Sequence, residues 1–282
     1  MIWVITDAAA DLPSHLVQQY AIQVVGGRIA LDGVTQRTGT DASVADYYAR
    51  WQTQGEPPAT SDPSVNDIGQ IYESILSEHK DAEILSIHPS GALTDTLQRA
   101  RTAAASTGTS RIQLIDSQST SLGLGIQVRE AAELVHRNRP APYIMQMLSQ
   151  LRTNLHGYLL MDSADYLHRS GKLSAMDRVL GGLLSVKPIV QLEKGNVSLH
   201  DQRRTRDEGM RALSEAMIKS GLVHGGLRVG IAHAVCEDDA HTLARDVSPV
   251  LKPEALTVSG FGPSNGVLGG PGTLAAFWAS PR

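Results

Sequence analysis

A single cysteine, Cys236, in 282 residues excludes an intrachain disulfide framework and any metal site built from several thiolates. No apolar run is long enough to cross a bilayer. The opening run is interrupted by Asp7 and has neither the basic flank nor the long apolar core of a signal peptide, so a cytoplasmic location is expected. Positive charge is not in excess: 25 Lys and Arg against 29 Asp and Glu give a net charge of −4, with a pI near 6.2. That balance argues against general nucleic-acid binding and standing adhesion to an anionic membrane, and leaves room only for transient membrane contact through local basic residues. No Gly-x-x-x-x-Gly-Lys-Ser/Thr phosphate loop occurs, which argues against a nucleotide-binding kinase. Low-complexity linkers and sequence repeats are also lacking.

What is present is a chain that is 41% hydrophobic and long enough for one large or two ordinary domains. Helix-period segments alternate with short β-rich runs up to about residue 155, the pattern of crossovers around a mostly parallel sheet. Strands are predicted near 2–6, 21–25, 83–87 and 111–115, and helices near 14–20, 43–53, 64–79, 94–107, 120–138 and 141–154. A second set follows, with strands at 157–161, 186–192, 197–199, 227–233 and 256–261 and helices at 206–219 and 237–251. The fold class expected is two α/β domains, residues 1–155 and 156–282, with the mostly parallel sheet in the first.

Three of the predicted strands end alike. The runs at 2–5, 84–87 and 112–115 lead into Thr6-Asp7, His88-Pro89-Ser90-Gly91 and Asp116-Ser117. In an open α/β sheet such strand ends share one edge, so these turns converge on one crevice that presents hydroxyls and helix N-terminal amides, a setting for an anionic or carboxylate head. The loop Ala59-Thr60-Ser61-Asp62-Pro63-Ser64 reads first as a loop and a helix cap, because Ser61, Asp62 and Ser64 are all good N-cap residues. His88 lies two residues before Ser90, yet a His beside a proline turn is more often a hydrogen-bonded structural residue than a ligand contact.

Other patterns point elsewhere. Gly262-Pro263-Ser264-Asn265-Gly266 matches a nucleophile elbow and follows a strand, but an elbow needs a helix next, and the residues from Val267 to Gly272 are poor helix starters. Gly123 and Gly125 lack the rest of a dinucleotide loop and read as close-packing positions or as room for a bound chain. His224 and His233 have no partners at a metal spacing, and no metal site is expected.

Seven landmarks in order resemble the DegV family, bacterial fatty-acid-binding proteins that present acyl chains to a fatty acid kinase. They are the Thr6-Asp7-Ala8-Ala9-Ala10-Asp11-Leu12-Pro13 opening, the Thr60-Ser61 loop, Ser90-Gly91-Ala92-Leu93-Thr94-Asp95-Thr96, Ile115-Asp116-Ser117 with Gly123-Leu124-Gly125, Tyr166-Leu167-His168-Arg169-Ser170-Gly171-Lys172-Leu173, Val186-Lys187-Pro188-Ile189, and the segment 262–273. The resemblance implies a long-chain fatty acid held in a crevice between the two domains. Its carboxylate would be bound by Thr60, Ser61 and Ser90, with Thr94 and Thr96 as further candidates and Asp116, Ser117 and Leu268 in the same region. It also implies a non-enzymatic carrier with no cofactor, expected as a monomer, with a fatty acid kinase as partner.

Basic residues of the second half, Arg169, Lys172, Lys187, Arg203, Arg204 and Arg206, read either as a docking surface for that kinase or as a solvated face paired with Asp201, Asp207 and Glu208. Lys187, inside an apolar run, is the one expected to be partly buried. Three positions depart from the family pattern. Ala8 replaces a serine, and Thr94-Asp95-Thr96 replaces Ser-Gly-Thr, so Asp95 is expected to point outward or start a helix. Leu268 stands where the family has a histidine associated with the head group, which bears on acyl-phosphate chemistry more than on lipid binding. The competing readings are an esterase using Ser264, a carboxylate-handling α/β enzyme using the crevice, and a divergent family member binding another apolar carboxylate.

Overall fold

The computed structural model describes residues 1–39, 44–163, 165–166, 186–221 and 225–281. The first half forms a parallel four-stranded sheet from β1 (Ile2–Asp7), β2 (Gln23–Val25), β6 (Glu83–His88) and β7 (Ile112–Asp116), in the order β2-β1-β6-β7. These strands are nearly continuous apolar runs because both faces are covered. On one face Val4, Leu85, Ile87 and Ile115 pack against α5 (Ser121–His136) and α6 (Ala141–Thr153). The neighbouring residues Ile5 and Ile84 point to the other face, against α3 (Val65–Glu78) and α4 (Thr96–Ser106), as the two-residue period of a strand requires. A short helix α1 (Ser14–Gln19) links β1 to β2.

Inserted after β2 is a three-stranded antiparallel ribbon of β3 (Arg28–Leu31), β4 (Val34–Arg37) and β5 (Thr60–Ser61), in the order β4-β3-β5, with α2 (Val44–Gln54) in the connection. Sequence periodicity missed this ribbon. Its strands are two to four residues long and β4 is largely exposed, so no apolar alternation develops.

The second half forms a six-stranded sheet in the order β10-β9-β8-β13-β11-β12, from β8 (His156–Leu160), β9 (Lys187–Glu193), β10 (Asn196–Arg203), β11 (Arg228–His233), β12 (Ala255–Gly260) and β13 (Leu274–Ala279). Only β11 and β12 pair in parallel; the rest are antiparallel. One face carries α7 (Arg206–Gly221) and α8 (Glu237–Leu251), whose Leu213, Met217, Leu243 and Val247 pack on Leu160, Val229, Ile231 and Trp278. β13 escaped the sequence reading because every residue in it is buried, so no inside–outside alternation marks it.

α5 joins the halves. It is buried almost all round because it lies between the two sheets: Leu124 and Val128 face the first, while Leu122 and Ile126 share an apolar cluster with Phe277 and Ala275 of the second. Gly123 and Gly125 permit this approach. A Cβ on Gly123 would come within 2.6 Å of the Phe277 ring, and one on Gly125 within 2.7 Å of the Ala10 carbonyl oxygen, which supports the close-packing reading of both.

Candidate functional site

The parallel sheet brings the three recurrent turns to one edge, where they bond to each other. His88 lies fully buried between them: its Nδ1 is 3.1 Å from Asp7 Oδ2 and its Nε2 is 2.8 Å from Ser86 Oγ, which in turn accepts from the Tyr72 hydroxyl at 2.8 Å. With Ser86 donating onward, this polarity places the ring proton on Nδ1 and runs every donor toward Asp7. Asp7 also accepts from the Ala9 amide at 2.8 Å. His88 is therefore the structural residue its context implied. The Asp7–His88–Ser86 order resembles a hydrolytic triad, but Ser86 is wholly buried and held by Tyr72, so no substrate reaches it.

The turns after β6 and β7 are laced together by Ser117 N–H donating to the His88 carbonyl and Ser90 N–H donating to that of Ser119. Ser90 Oγ accepts from the Ala92 amide at 3.2 Å and faces the second sheet. A Cβ on Gly195, in the β9–β10 turn, would lie 2.1 Å from it. Ser117 Oγ donates to the Ser119 carbonyl and accepts from the Ser119 amide, while Asp116 Oδ1 accepts from Gln118 N–H, so both side chains shape their own turn. Thr94 Oγ1 accepts from the amide of Thr96, which is buried in the first turn of α4. Asp95 is exposed at the start of that helix, pointing outward as expected.

Thr60 and Ser61 sit in β5, pairing with Ile29 and Arg28. The following residues are fixed from two sides. Ser64 and Asp67 form a reciprocal capping box at the start of α3, and Arg99 of α4 donates from Nη1 to the carbonyls of Asp62 and Pro63 at 3.2 and 3.0 Å. Since α4 begins just after the Ser90 turn, this clamp holds the Thr60–Ser61 loop beside it. Against β5 lies α9 (Pro263–Gly269), the helix that carries half-buried Leu268.

Between the sheets is an apolar cluster whose aromatic members are Tyr47, Tyr48 and Trp51 of α2 with Phe261 and Phe277, together with Ile29 and Leu93. Tyr166 packs on its rim, edge-on to Trp51 at 5.2 Å between ring centroids. The glycine-rich segment after β12 fits this cluster: Gly270, at φ +73°, lies so close to the Tyr166 ring that a Cβ would approach to 2.2 Å.

A polar clasp that sequence reading missed closes one side of the interface. Asp11, in a left-handed conformation at φ 49°, accepts from Gly262 N–H at 2.9 Å, Asn265 Nδ2 at 2.8 Å and Ser121 Oγ at 2.6 Å. Asn265 also donates to the Ala9 carbonyl and accepts from Thr120 Oγ1. Burial pushes the Asp11 carboxyl up to about 7, against the lowering effect of its three donors. Beside the clasp is a cleft of about 760 Å³ lined by Asp7, Asp11, Ser14, Gln18, Val44 and Ser259 among others; none of the expected head-group residues lines it.

A family model described as uncharacterised protein, DegV family, matches residues 1–281. The chain belongs to the DegV family. A DegV domain-containing protein of Deinococcus radiodurans is 31% identical over 245 residues, covering 86% of this chain and 85% of that one. A Thermus thermophilus DegV family structure described as fatty-acid binding superposes with a TM-score of 0.90 at 26% identity, covering 99% of each chain. The Bacillus subtilis DegV structure, described as a fatty acid binding protein, superposes with a TM-score of 0.86 at 25% identity over 99% of each.

Among DegV signatures in this chain, the stretch with Arg169 and Lys172 lies outside the described residues, as does His224. Lys187 is half-buried as expected, its Nζ 3.1 Å from Asp162 Oδ1. Arg206 bonds Asp239, Asp162 and the Gly272 carbonyl, and Arg203 pairs with Asp201, one of the acids expected beside it. Arg204 is exposed, its amide donating to Glu208. His233 is half-buried, and burial lowers its pKa.

One expectation is corrected. A helix does follow Gly262: α9 starts at Pro263, because proline suits the first helical position. Ser264 then lies inside that helix with no left-handed backbone, and among the described residues no histidine bonds to it, so the elbow geometry is absent even though a helix follows.

Proposed function

We propose that this chain binds a long-chain fatty acid in the apolar zone between two α/β domains that divide near residue 155, and that it acts as a carrier without chemistry of its own. The observation that carries this reading is the full-length match to the Thermus thermophilus fatty-acid-binding DegV structure, and it is supported by an aromatic cluster between the sheets that includes Ile29, the strand partner of Thr60. Hydroxyl donors suit a carboxylate because each gives a directed hydrogen bond to an anionic oxygen. Thr60, Ser61 and Ser90 would hold the head group, with Thr94 and Thr96 beside them. Asp116 and Ser117 fix the adjoining turn, and Leu268 adds an apolar wall on α9.

A carboxylate bound in this way keeps an oxygen available for phosphorylation, so the partner we propose is a separate fatty acid kinase, docking through Arg169, Lys172, Lys187 and Arg204. No cofactor is required. A cytoplasmic monomer is the state this reading assumes, and the absence from the sequence of a phosphate-loop motif fits a chain that presents its ligand to a kinase.

The test is mass spectrometry of organic extract from purified wild type and a Thr60→Ala/Ser90→Ala variant. A stoichiometric fatty acid present in the first and lost from the second is the expected result. A wild-type protein that is empty and takes up no added fatty acid would overturn the reading.

A further inference from the structure

Tyr47 on α2 is fully buried, yet its hydroxyl has no hydrogen-bond partner among the described residues. Its neighbour Tyr48 shows what this environment ordinarily requires. Equally buried, Tyr48 donates to the Phe261 carbonyl at 2.8 Å. The Tyr47 ring is well packed, edge-on to Tyr48 at 4.9 Å and to Trp51 at 5.7 Å between centroids. Phenylalanine would fill the same volume without stranding a polar atom, so the hydroxyl is the feature that packing does not explain. Burial raises the phenol pKa further above its ordinary value, which keeps it a donor across the physiological range.

The position of that hydroxyl narrows its role. A Cβ on Gly266 would lie 2.8 Å from Tyr47 Cε1 and 3.3 Å from its Oη, so the phenol end lies against α9. The same helix lies against β5, which carries Thr60 and Ser61, and Ile29, the strand partner of Thr60, belongs to the same cluster as Tyr47. A second buried hydroxyl without a partner, Thr273 Oγ1, packs against Gly269, three residues further along α9. Two unsatisfied hydroxyls therefore pack against the helix that also meets the hydroxyl-bearing strand.

We propose that Tyr47 is a further ligand-contacting residue, its hydroxyl donating to a carboxyl oxygen of a long-chain acyl acid seated at the α9 end of the cluster between the sheets. This rests on the fatty-acid reading above and adds to it a donor from α2, outside the loops where hydroxyl residues gather in the sequence. The ligand class is a monocarboxylic acid with an extended apolar tail: the carboxyl satisfies the phenol, and the tail replaces the packing of the surrounding rings.

Tyr47→Phe removes only the hydroxyl. Titration of delipidated protein with palmitic acid should show the variant binding about tenfold more weakly than wild type, the loss of one charge-assisted hydrogen bond. The thermal midpoint of the ligand-free variant should equal or exceed that of wild type, because a stranded polar atom has gone. Carboxyl-labelled palmitic acid should also give a different bound carboxyl resonance in the two proteins. A further measurement needs no variant: the Tyr47 ζ-carbon resonance of wild type should move when palmitic acid is added. Unchanged affinity with an unchanged carboxyl resonance would overturn the role of Tyr47 and leave the fatty-acid reading standing. A wild type that binds no palmitic acid, with a stationary Tyr47 resonance, would overturn both.

Discussion

Asp11 is the residue on which the interface clasp turns, and its titration gives the clasp a pH signature. Free in an unfolded chain its carboxyl would titrate near 3.8; desolvation in the folded protein moves it to about 7. The folded state thus holds a proton that the unfolded state releases. The stability this group contributes is complete below about pH 4 and is lost as pH rises through 7, a total of about 4 kcal/mol at 1.36 kcal/mol per unit. Asp11→Asn has no such titration. Denaturant unfolding of both proteins at a series of pH values should show the stability of wild type falling relative to the variant between pH 4 and 7, whereas a constant difference would mean that Asp11 stays ionised throughout. Little of this was legible in the sequence. Thr60, Ser61 and Ser90 stand out because hydroxyls cluster around glycine and proline turns, but Asp11 acquires its character from burial and from Ser121, Gly262 and Asn265, all more than 100 positions away in the chain. Tyr47 is equally silent, since an aromatic on a helix reads as core until its hydroxyl is seen without a partner.

At the scale of elements, α3 shows how a cap also positions a loop. Ser64 Oγ accepts from the Asp67 amide at 3.1 Å, Asp67 returns the bond to the Ser64 amide, and the same carboxylate receives Arg28 of the ribbon at 2.9 Å. Ser64→Ala should therefore cost about 1 kcal/mol in chemical denaturation and speed amide exchange in the first turn of α3. Protection unchanged at Asp67 and Ile68 would show that Arg28 and Arg37 hold this end without the cap. The long amphipathic helices and the apolar strands of the first sheet could be read from periodicity, because burial of one stripe or of two faces leaves a regular trace. The ribbon, β13 and α9 could not. The ribbon is held by pairing and by Arg28 and Arg37 on Asp67, β13 by burial on all sides, and α9 by packing of its glycines on Tyr47 and Thr273. In each case tertiary contact supplies what local pattern lacks.

Across the whole molecule the two sheets are tied on the α5 side by buried charge. Arg228 of β11 meets Glu130 of α5 at 2.9 Å with both side chains less than a tenth exposed, and it reaches Glu254 at 2.9 Å as well. Arg129 of the same helix bonds Thr257 of β12. Glu130→Gln leaves Arg228 with exposed Glu254 and the more distant Glu133 at 3.9 Å, and should cost about 2–4 kcal/mol, measured by thermal or denaturant unfolding. The loss should persist in concentrated salt, because a buried pair is poorly screened; a loss that salt abolishes would place the pair in contact with solvent. The order of the second sheet has a consequence for the growing chain. Strands β8 to β10 and strands β11 and β12 meet only through β13, which enters between β8 and β11. During synthesis both partial sheets therefore wait with open hydrogen-bonding edges until residues 274–279 have been made, and over that interval the nascent protein is most exposed to mispairing and most dependent on chaperones.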